Sequence, residues 1–209
     1  MTKSFCHFTT ISPDLMDAIE ADFTENYDSL MQISKIGGNS QGNVDEEKRN
    51  SKNAWVPTSH WVGGLMWNYY KKANDEFFHY NLNCIDGESM QYTQYGLNER
   101  YDWHQDEGIA GLYKPQASGG RDDQMLVQDF INKGAQTIRK LSAIVQLSHE
   151  EDYEGGATQI RDVDQTLYTI PRKRGTIVFF DSRLAHRAKT VTMGMRKSLI
   201  TWAVGPRWR

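Results

Sequence analysis

The chain has 209 residues, enough for one domain with a substantial core, and its 38% hydrophobic, 24% charged and 11% aromatic content is globular rather than disordered or fibrous. A formal net charge of −3 excludes a global basic field for nucleic acid, leaving only local basic clusters at Arg172-Lys173-Arg174 and at Arg207 and Arg209. Cys6 and Cys84 match no metal-ligand spacing and are read as reduced thiols, while no apolar run nears the roughly 20 residues a membrane span needs and MTKSFCHFTTISPDL lacks a signal peptide's apolar core, so the expected location is cytoplasmic.

The first element predicted is a helix. Ser12 suits an N-cap, Pro13 the first helical position and Asp14 the positive end of the dipole. Leu15, Ile19 and Phe23 follow at helical spacing as one apolar stripe. Residues 37–53 are polar and rich in Gly and Asn, and read as a solvated loop. A second helix is expected after Thr58-Ser59, carrying Trp61, Leu65, Met66 and Tyr69 inward, with Gly63 and Gly64 speaking against it. From about residue 77 short β-branched and aromatic segments take over: FFHYNL, SMQYTQY, RYDWHQD, TIRKLSAIVQLS, ATQI, TLYTI, TIVFF, AHRAKTV and SLITWAV. Turn residues at Gly87, Gly96, Glu154-Gly155-Gly156, Pro171 and Gly175 separate them. That rhythm predicts a mainly β fold, an antiparallel sandwich or jelly roll, with two N-terminal helices against its outside. We divide the single domain, 1–209, into a helical N-terminal support (1–76) and a jelly-roll core (77–206). Residues 107–137 form a Gly-punctuated insertion whose length suggests a lid.

The chemistry begins at YDWHQDEG. Side chains at i and i+2 of a strand share a face, so His104 and Asp106 aim an imidazole and a carboxylate at one point. An H-x-D triplet alone fits a surface His beside a solvated Asp better than a metal site. His186 lies 80 residues beyond Asp106, between two strand-like runs. Two histidines and one carboxylate cap one face of an octahedral Fe(II) and leave positions open, whereas a structural zinc site would fill its shell. Arg196 follows His186 by ten residues. A buried guanidinium there would need an anion, and a dicarboxylate such as 2-oxoglutarate supplies one; by spacing alone, an ordinary surface arginine in a Met-Arg-Lys-Ser turn fits as well. His7, His60, His79 and His149 match no motif position and are read as structural or exposed. Tyr92, Tyr101 and Trp103 suit either a substrate groove or, more commonly, the core.

Taken together, QYTQYGLNERYDWHQD, RKLSAIVQLSHEEDYEGGATQI and RGTIVFFDSRLAHRAKTVTMGMRKSLITWAVGP resemble the prolyl 4-hydroxylase-like Fe(II)/2-oxoglutarate dioxygenases, closest to the bacterial and phage-type PKHD branch. The resemblance spans roughly residues 77–206 and implies a double-stranded β-helix, a cupin-like jelly roll with N-terminal helices. It implies Fe(II), 2-oxoglutarate and dioxygen, with ascorbate as an auxiliary reductant. His104, Asp106 and His186 match the iron ligands and Arg196 the partner of the distal carboxylate of 2-oxoglutarate. Tyr95 matches a pocket tyrosine, Gln146 a polar partner of that carboxylate, and Trp202 a pocket aromatic. Ile144 shares the Gln146 face by alternation. Asp106 favours hydroxylation over halogenation, because its loss would open a site for halide. The implied substrate is a prolyl residue in a protein or peptide, with a free amino acid or other small molecule as the alternative, and a non-catalytic metal-binding jelly-roll module as the more distant one. Nucleic-acid demethylases of this superfamily carry a second arginine shortly after the first; RKSLITW has none, so no nucleic-acid partner is expected. No membrane partner is expected, and the oligomeric state is left open.

Overall fold

The computed structural model describes residues 6–34, 45, 47–85, 89–106 and 137–208. The Gly-punctuated insertion up to residue 136, the proposed lid, most of the polar loop before residue 47, and Gly87 lie outside the described residues.

In chain order the elements are β1 (Cys6–Thr10), α1 (Pro13–Asn26), β2 (Gln32–Ile33), β3 (Arg49–Asn50), β4 (Lys52–Val56), α2 (Trp61–Ala73), β5 (Cys84–Ile85), β6 (Met90–Tyr95), β7 (Arg100–His104) and β8 (Thr137–Gln146). They continue as β9 (Tyr153–Gly155), β10 (Thr158–Arg161), β11 (Leu167–Thr169), β12 (Thr176–Asp181), β13 (Ala185–Ala188), β14 (Val191–Gly194) and β15 (Arg196–Pro206). A large antiparallel sheet runs β1-β12-β8-β15-β6-β4-β2, with β5 on the flank of β15. A smaller sheet runs β11-β10-β13-β7-β3, and β14 pairs with β9. This is the expected jelly roll. No helix among the described residues is long and apolar enough to cross a membrane.

Alternation explains why the central strands are buried on both faces. On β12, Ile177 and Phe179 join the core under the helices, while Val178 and Phe180 join a second cluster with Ile144, Ile160, Ile170 and Leu184. Likewise Leu141, Ala143 and Val145 of β8 face the helices and Ile144 faces the other way. The large sheet is thus covered by α1 and α2 on one side. Its other face looks into the second cluster, and the site lies on that side.

Both helices form where expected but turn different faces inward. Met16, Ile19 and Phe23 are the buried residues of α1, whereas Leu15 is 37% exposed. Ser12 holds the cap position without a side-chain bond. The helix rotation is set instead by docking: Arg174 pairs with Asp17 at 2.7 Å and Glu20 at 2.6 Å, and its Nε donates to the Leu147 carbonyl. Those pairs also mean that Arg172-Lys173-Arg174 is no free basic patch, since Arg172 is spent on the Glu150 and Tyr153 carbonyls. In α2 the buried set is Val62, Gly63, Met66, Tyr70 and Ala73; Trp61 is exposed and donates to Asp22, and Leu65 and Tyr69 are only partly buried. His60, not Ser59, caps the helix by accepting from the Val62 amide. Gly63 proves a requirement rather than a weakness: a Cβ there would sit 2.1 Å from the Thr58 carbonyl oxygen.

Two further expectations fail for local reasons. FFHYNL is not a strand: α2 continues into a wide π-type turn over Asn74–Phe78, closed by the Asn74 side chain, which both accepts from the Tyr80 amide and donates to its carbonyl at 2.9 Å. Residues 49–53 are not a solvated loop, because β3 and the start of β4 bury Arg49, Ser51 and Asn53, whereas Glu47 and Lys48 form an exposed turn as expected. Their polarity is satisfied internally: Arg49 Nε donates to Ser51 Oγ, Ser51 Oγ to Ser34 Oγ, and Ser34 Oγ to Asn53 Oδ1. With β1 and β2, these strands also make the N-terminal segment more than a helical support.

Candidate metal and dicarboxylate site

His104 ends β7 and His186 lies in β13, directly opposite it in the register. Asp106 follows two residues later, its amide bound to the Ser182 carbonyl at 3.0 Å. The potential ligand atoms of His104, Asp106 and His186 all lie within 4.8 Å of one another. His186 Nε2 is 3.4 Å from Asp106 Oδ2, and His104 Nε2 is 3.8 Å from Oδ1.

Both imidazoles are oriented from behind. His104 Nδ1 lies 2.8 Å from the Asp102 carbonyl, and His186 Nδ1 lies 3.1 Å from that of Leu184. A carbonyl only accepts, so each Nδ1 carries the proton and each Nε2 offers its lone pair to the shared point. Burial, and then the His186 imidazole beside it, push the His104 pKa down to about 3, so this ring is neutral and ready to ligate. Burial alone would raise the Asp106 carboxyl, but His186, His104 and Arg139 around it hold it low, as an anion. Phe180 packs edge-on against His186 at 4.7 Å. Two imidazoles from neighbouring strands and one carboxylate just past the end of β7 are the donor set of an open divalent-metal site.

Tyr101 joins this wall through a register irregularity. His186 pairs with His104 but Ala188 pairs with Tyr101, so β7 carries an extra residue between them. The tyrosine ring therefore stacks on His104, with centroids 3.5 Å apart, and the Arg49 guanidinium covers it at 4.6 Å. Trp103 instead lies between the Arg161 and Arg187 guanidinium groups. Tyr92 is a core residue whose hydroxyl donates to Asp28.

Arg196 opens β15 and is only 2% exposed. Its Nε and Nη2 donate to Gln146 Oε1 at 3.3 and 3.1 Å, and Nη2 also donates to Thr158 Oγ1 at 2.9 Å. Tyr95 is its register partner, with the ring centroid 5.4 Å from the guanidinium carbon. Thr158 sits two residues along β10 from Ile160, the partner of His186, which sets the arginine about 7 Å along the strand from the metal position. Among the described residues, the partners of this buried cation, Gln146, Thr158 and the Tyr95 ring, are neutral. A buried charge without a counter-ion is costly, and such a site suits an incoming carboxylate.

The remaining predicted residues, Trp202 and Ile144, are buried on the same strand faces as Arg196 and Gln146. Trp202 is 4% exposed, with the Arg139 guanidinium over its ring at 3.9 Å. Ile144 lies in the second cluster with Ile200 against it, on the Gln146 face as expected. Three residues escaped the sequence reading. Thr158 holds Arg196. Gly156, at φ +58°, lies so close that a Cβ would meet Arg196 Cδ at 3.1 Å. Ser198 Oγ is buried without a hydrogen-bond partner among the described residues, two residues past Arg196 and so on its face of β15. The i, i+2 spacing from Arg196 was the available signal for Ser198; Gly156 and Thr158 had none beyond the EGGAT turn. An orphaned hydroxyl beside an uncompensated guanidinium fits a dicarboxylate.

The 2OG-Fe(II) oxygenase superfamily model matches residues 90–204, more than half of the chain. Three solved structures share the fold. A prolyl-4-hydroxylase from Pseudomonas putida superposes with a TM-score of 0.65 at 15% identity, over 97% of this chain and 93% of that one. A prolyl hydroxylase from Trichoplax adhaerens, in complex with a hypoxia inducible factor oxygen degradation domain peptide fragment, gives 0.69 at 13% identity, over 96% and 84%. A viral collagen prolyl hydroxylase from Paramecium Bursaria Chlorella virus-1, as a 2OG complex, gives 0.59 at 16% identity, over 96% of both chains. No curated protein matches the sequence significantly.

Proposed function

The chain belongs to the 2OG-Fe(II) oxygenase superfamily and is a 2-oxoglutarate-dependent dioxygenase using Fe(II) and dioxygen; from that premise we propose that it hydroxylates an unactivated C–H bond of a prolyl residue in a protein or peptide. In this reading His104, Asp106 and His186 hold the iron, and Arg196 takes the distal carboxylate of 2-oxoglutarate. The observation that carries it is the pairing of a His-Asp-His triad with a buried arginine whose partners among the described residues are all neutral, about 7 Å along the strand. When bound, the metal and its cosubstrate supply the oxidising chemistry; the protein supplies position and a dry pocket.

The chain's own residues have separable duties. The Asp102 and Leu184 carbonyls keep both Nε2 lone pairs aimed inward. Gln146 and Thr158 hold the Arg196 guanidinium by its Nε and Nη2 hydrogens, which leaves the two Nη1 hydrogens for a carboxylate, and Ser198 Oγ is available to complete the contact. Tyr95, Ile144 and Trp202 exclude water from the space between. The prolyl substrate is supported by the three structural neighbours, two of them named for their polypeptide substrates.

The test is succinate formation by purified protein given Fe(II), ascorbate and 2-oxoglutarate, with His104→Ala as control. Wild-type turnover no higher than the control's would sink the metal assignment. Mass spectrometry of proline-containing peptides, seeking the gain of one oxygen on proline, tests the substrate. Oxygen found only on a free amino acid or other small molecule would replace that part of the proposal.

A further inference from the structure

Of the three ligand candidates, Asp106 is the one off a regular strand, since β7 ends at His104. Something else must orient its carboxylate. Ser142 Oγ lies 2.9 Å from Asp106 Oδ2, and Ser182 Oγ lies 2.9 Å from Ser142 Oγ. Both serines are fully buried, at 0% exposure. Donor counting fixes the direction. A carboxylate only accepts, so the single Ser142 hydroxyl proton goes to Asp106; the Ser142 oxygen must then accept from the Ser182 hydroxyl.

Resting on the metal assignment above, we propose that Ser142 and Ser182 are positioning residues: a two-hydroxyl relay, Ser182 to Ser142 to Asp106, that sets the carboxylate for metal binding. The relay has a rigid base. Ser182 donates its amide to the Lys140 carbonyl, and its own carbonyl takes the Asp106 amide. The residues on either side of it, Asp181 and Arg183, are locked together by bonds at 2.9 and 2.6 Å, with the Tyr80 hydroxyl on the same carboxylate at 2.6 Å. The Trp208 ring lies against both Arg183 and Lys140, 4.2 and 4.1 Å from their charged groups, and so ties the two serine-bearing strands together from outside. Such backing of a ligand carboxylate is the kind whose loss lowers metal affinity roughly 10–100-fold.

Because the relay has a direction, the two serines are unequal. Ser142→Ala removes the bond to Asp106 itself, whereas Ser182→Ala leaves Ser142 free to donate and removes only the support behind it. The experiment is Co(II) titration of metal-free protein by calorimetry, with the metal alone and no cosubstrate, on wild type, Ser142→Ala, Ser182→Ala and His104→Ala. Thermal denaturation of each metal-free protein runs in parallel. The expected result is a roughly 10–100-fold weaker Co(II) affinity for Ser142→Ala, a smaller loss for Ser182→Ala, and abolition in His104→Ala. If wild type binds and His104→Ala does not, but Ser142→Ala binds like wild type, the relay is overturned while the metal site stands. A Ser142→Ala protein that only melts earlier, with unchanged affinity, overturns it too. A wild type that binds no Co(II) overturns both readings. A Ser182→Ala loss equal to or larger than that of Ser142→Ala overturns the direction.

Discussion

Replacing Arg196 by Met separates a cosubstrate anchor from a structural arginine. The side chain is 2% exposed, and the structure gives it Gln146, Thr158 and the Tyr95 ring as partners, all neutral. In the metal-free, cosubstrate-free protein the buried guanidinium is therefore poorly compensated, and a Met of similar length removes a desolvated charge at the cost of two bonds to Gln146 and one to Thr158. These changes oppose one another at about 1–3 kcal/mol each, so the melting temperature should move little in either direction. The effect on 2-oxoglutarate is different in kind. Two charge-assisted bonds at about 1.5–3 kcal/mol each amount to about 3–6 kcal/mol, or roughly a hundredfold to ten-thousandfold in affinity. Calorimetric titration of 2-oxoglutarate into Mn(II)-loaded wild type and variant reads that ratio, and Mn(II) affinity should be unchanged. Arg196→Lys keeps the charge but loses the planar fork, and should fall between the two. A loss below tenfold, coupled with a large drop in melting temperature, would show that Arg196 holds the sheet together and does not bind the cosubstrate.

Three other outcomes are expected. Gly156→Ala should cost about 1–2 kcal/mol for its left-handed backbone, and its methyl, 3.1 Å from Arg196 Cδ and 2.9 Å from Val191 Cγ2, should raise the KM for 2-oxoglutarate without altering metal affinity; an unchanged KM would separate the turn from the arginine. Tyr70→Phe strands the buried Thr201 hydroxyl now 3.0 Å from the Tyr70 oxygen, and urea denaturation should show a loss of about 1–3 kcal/mol; no loss would mean that water reaches this core. Burial by itself would raise the Asp181 carboxyl, but the bonds from Arg183 and Tyr80 hold it below its ordinary 3.8. Its contribution is therefore complete above that unfolded value and disappears as pH falls through the lower folded one, so the destabilisation caused by Asp181→Asn should shrink below about pH 4; a difference constant across acid pH would refute the linkage.

Local periodicity accounts for what could be read without coordinates. The period of two placed His104 and Asp106 on one face and put Ile144 beside Gln146, and β-branched and aromatic runs marked the segments that form β12 and β15 as strands. Arg196 was legible as a candidate because it stands ten residues past His186 at the head of the next strand-like run. What periodicity cannot report is where it breaks or what lies opposite. The extra residue in β7 brings Tyr101 onto His104, although strict alternation puts them on opposite faces. A comparable slip in β8, where Ala203 faces Leu141 but Val204 faces Arg139, accompanies the guanidinium stacked over Trp202. The polar 49–53 segment looked like solvent-exposed loop because the serine, asparagine and arginine partners that let it be buried are long-range, with Ser34 lying 19 residues from Asn53. The helices were visible, but their inward faces depended on docking contacts such as Arg174 with Asp17 and Glu20. Ser142 and Ser182 are ordinary small residues, one within β8 and one just past the end of β12, until the fold brings positions 40 apart in the chain together. Sequence determines which residues can do chemistry and which face each strand offers; only the tertiary structure decides register, because hydrogen-bond pairing and its bulges depend on neighbours far away in the chain.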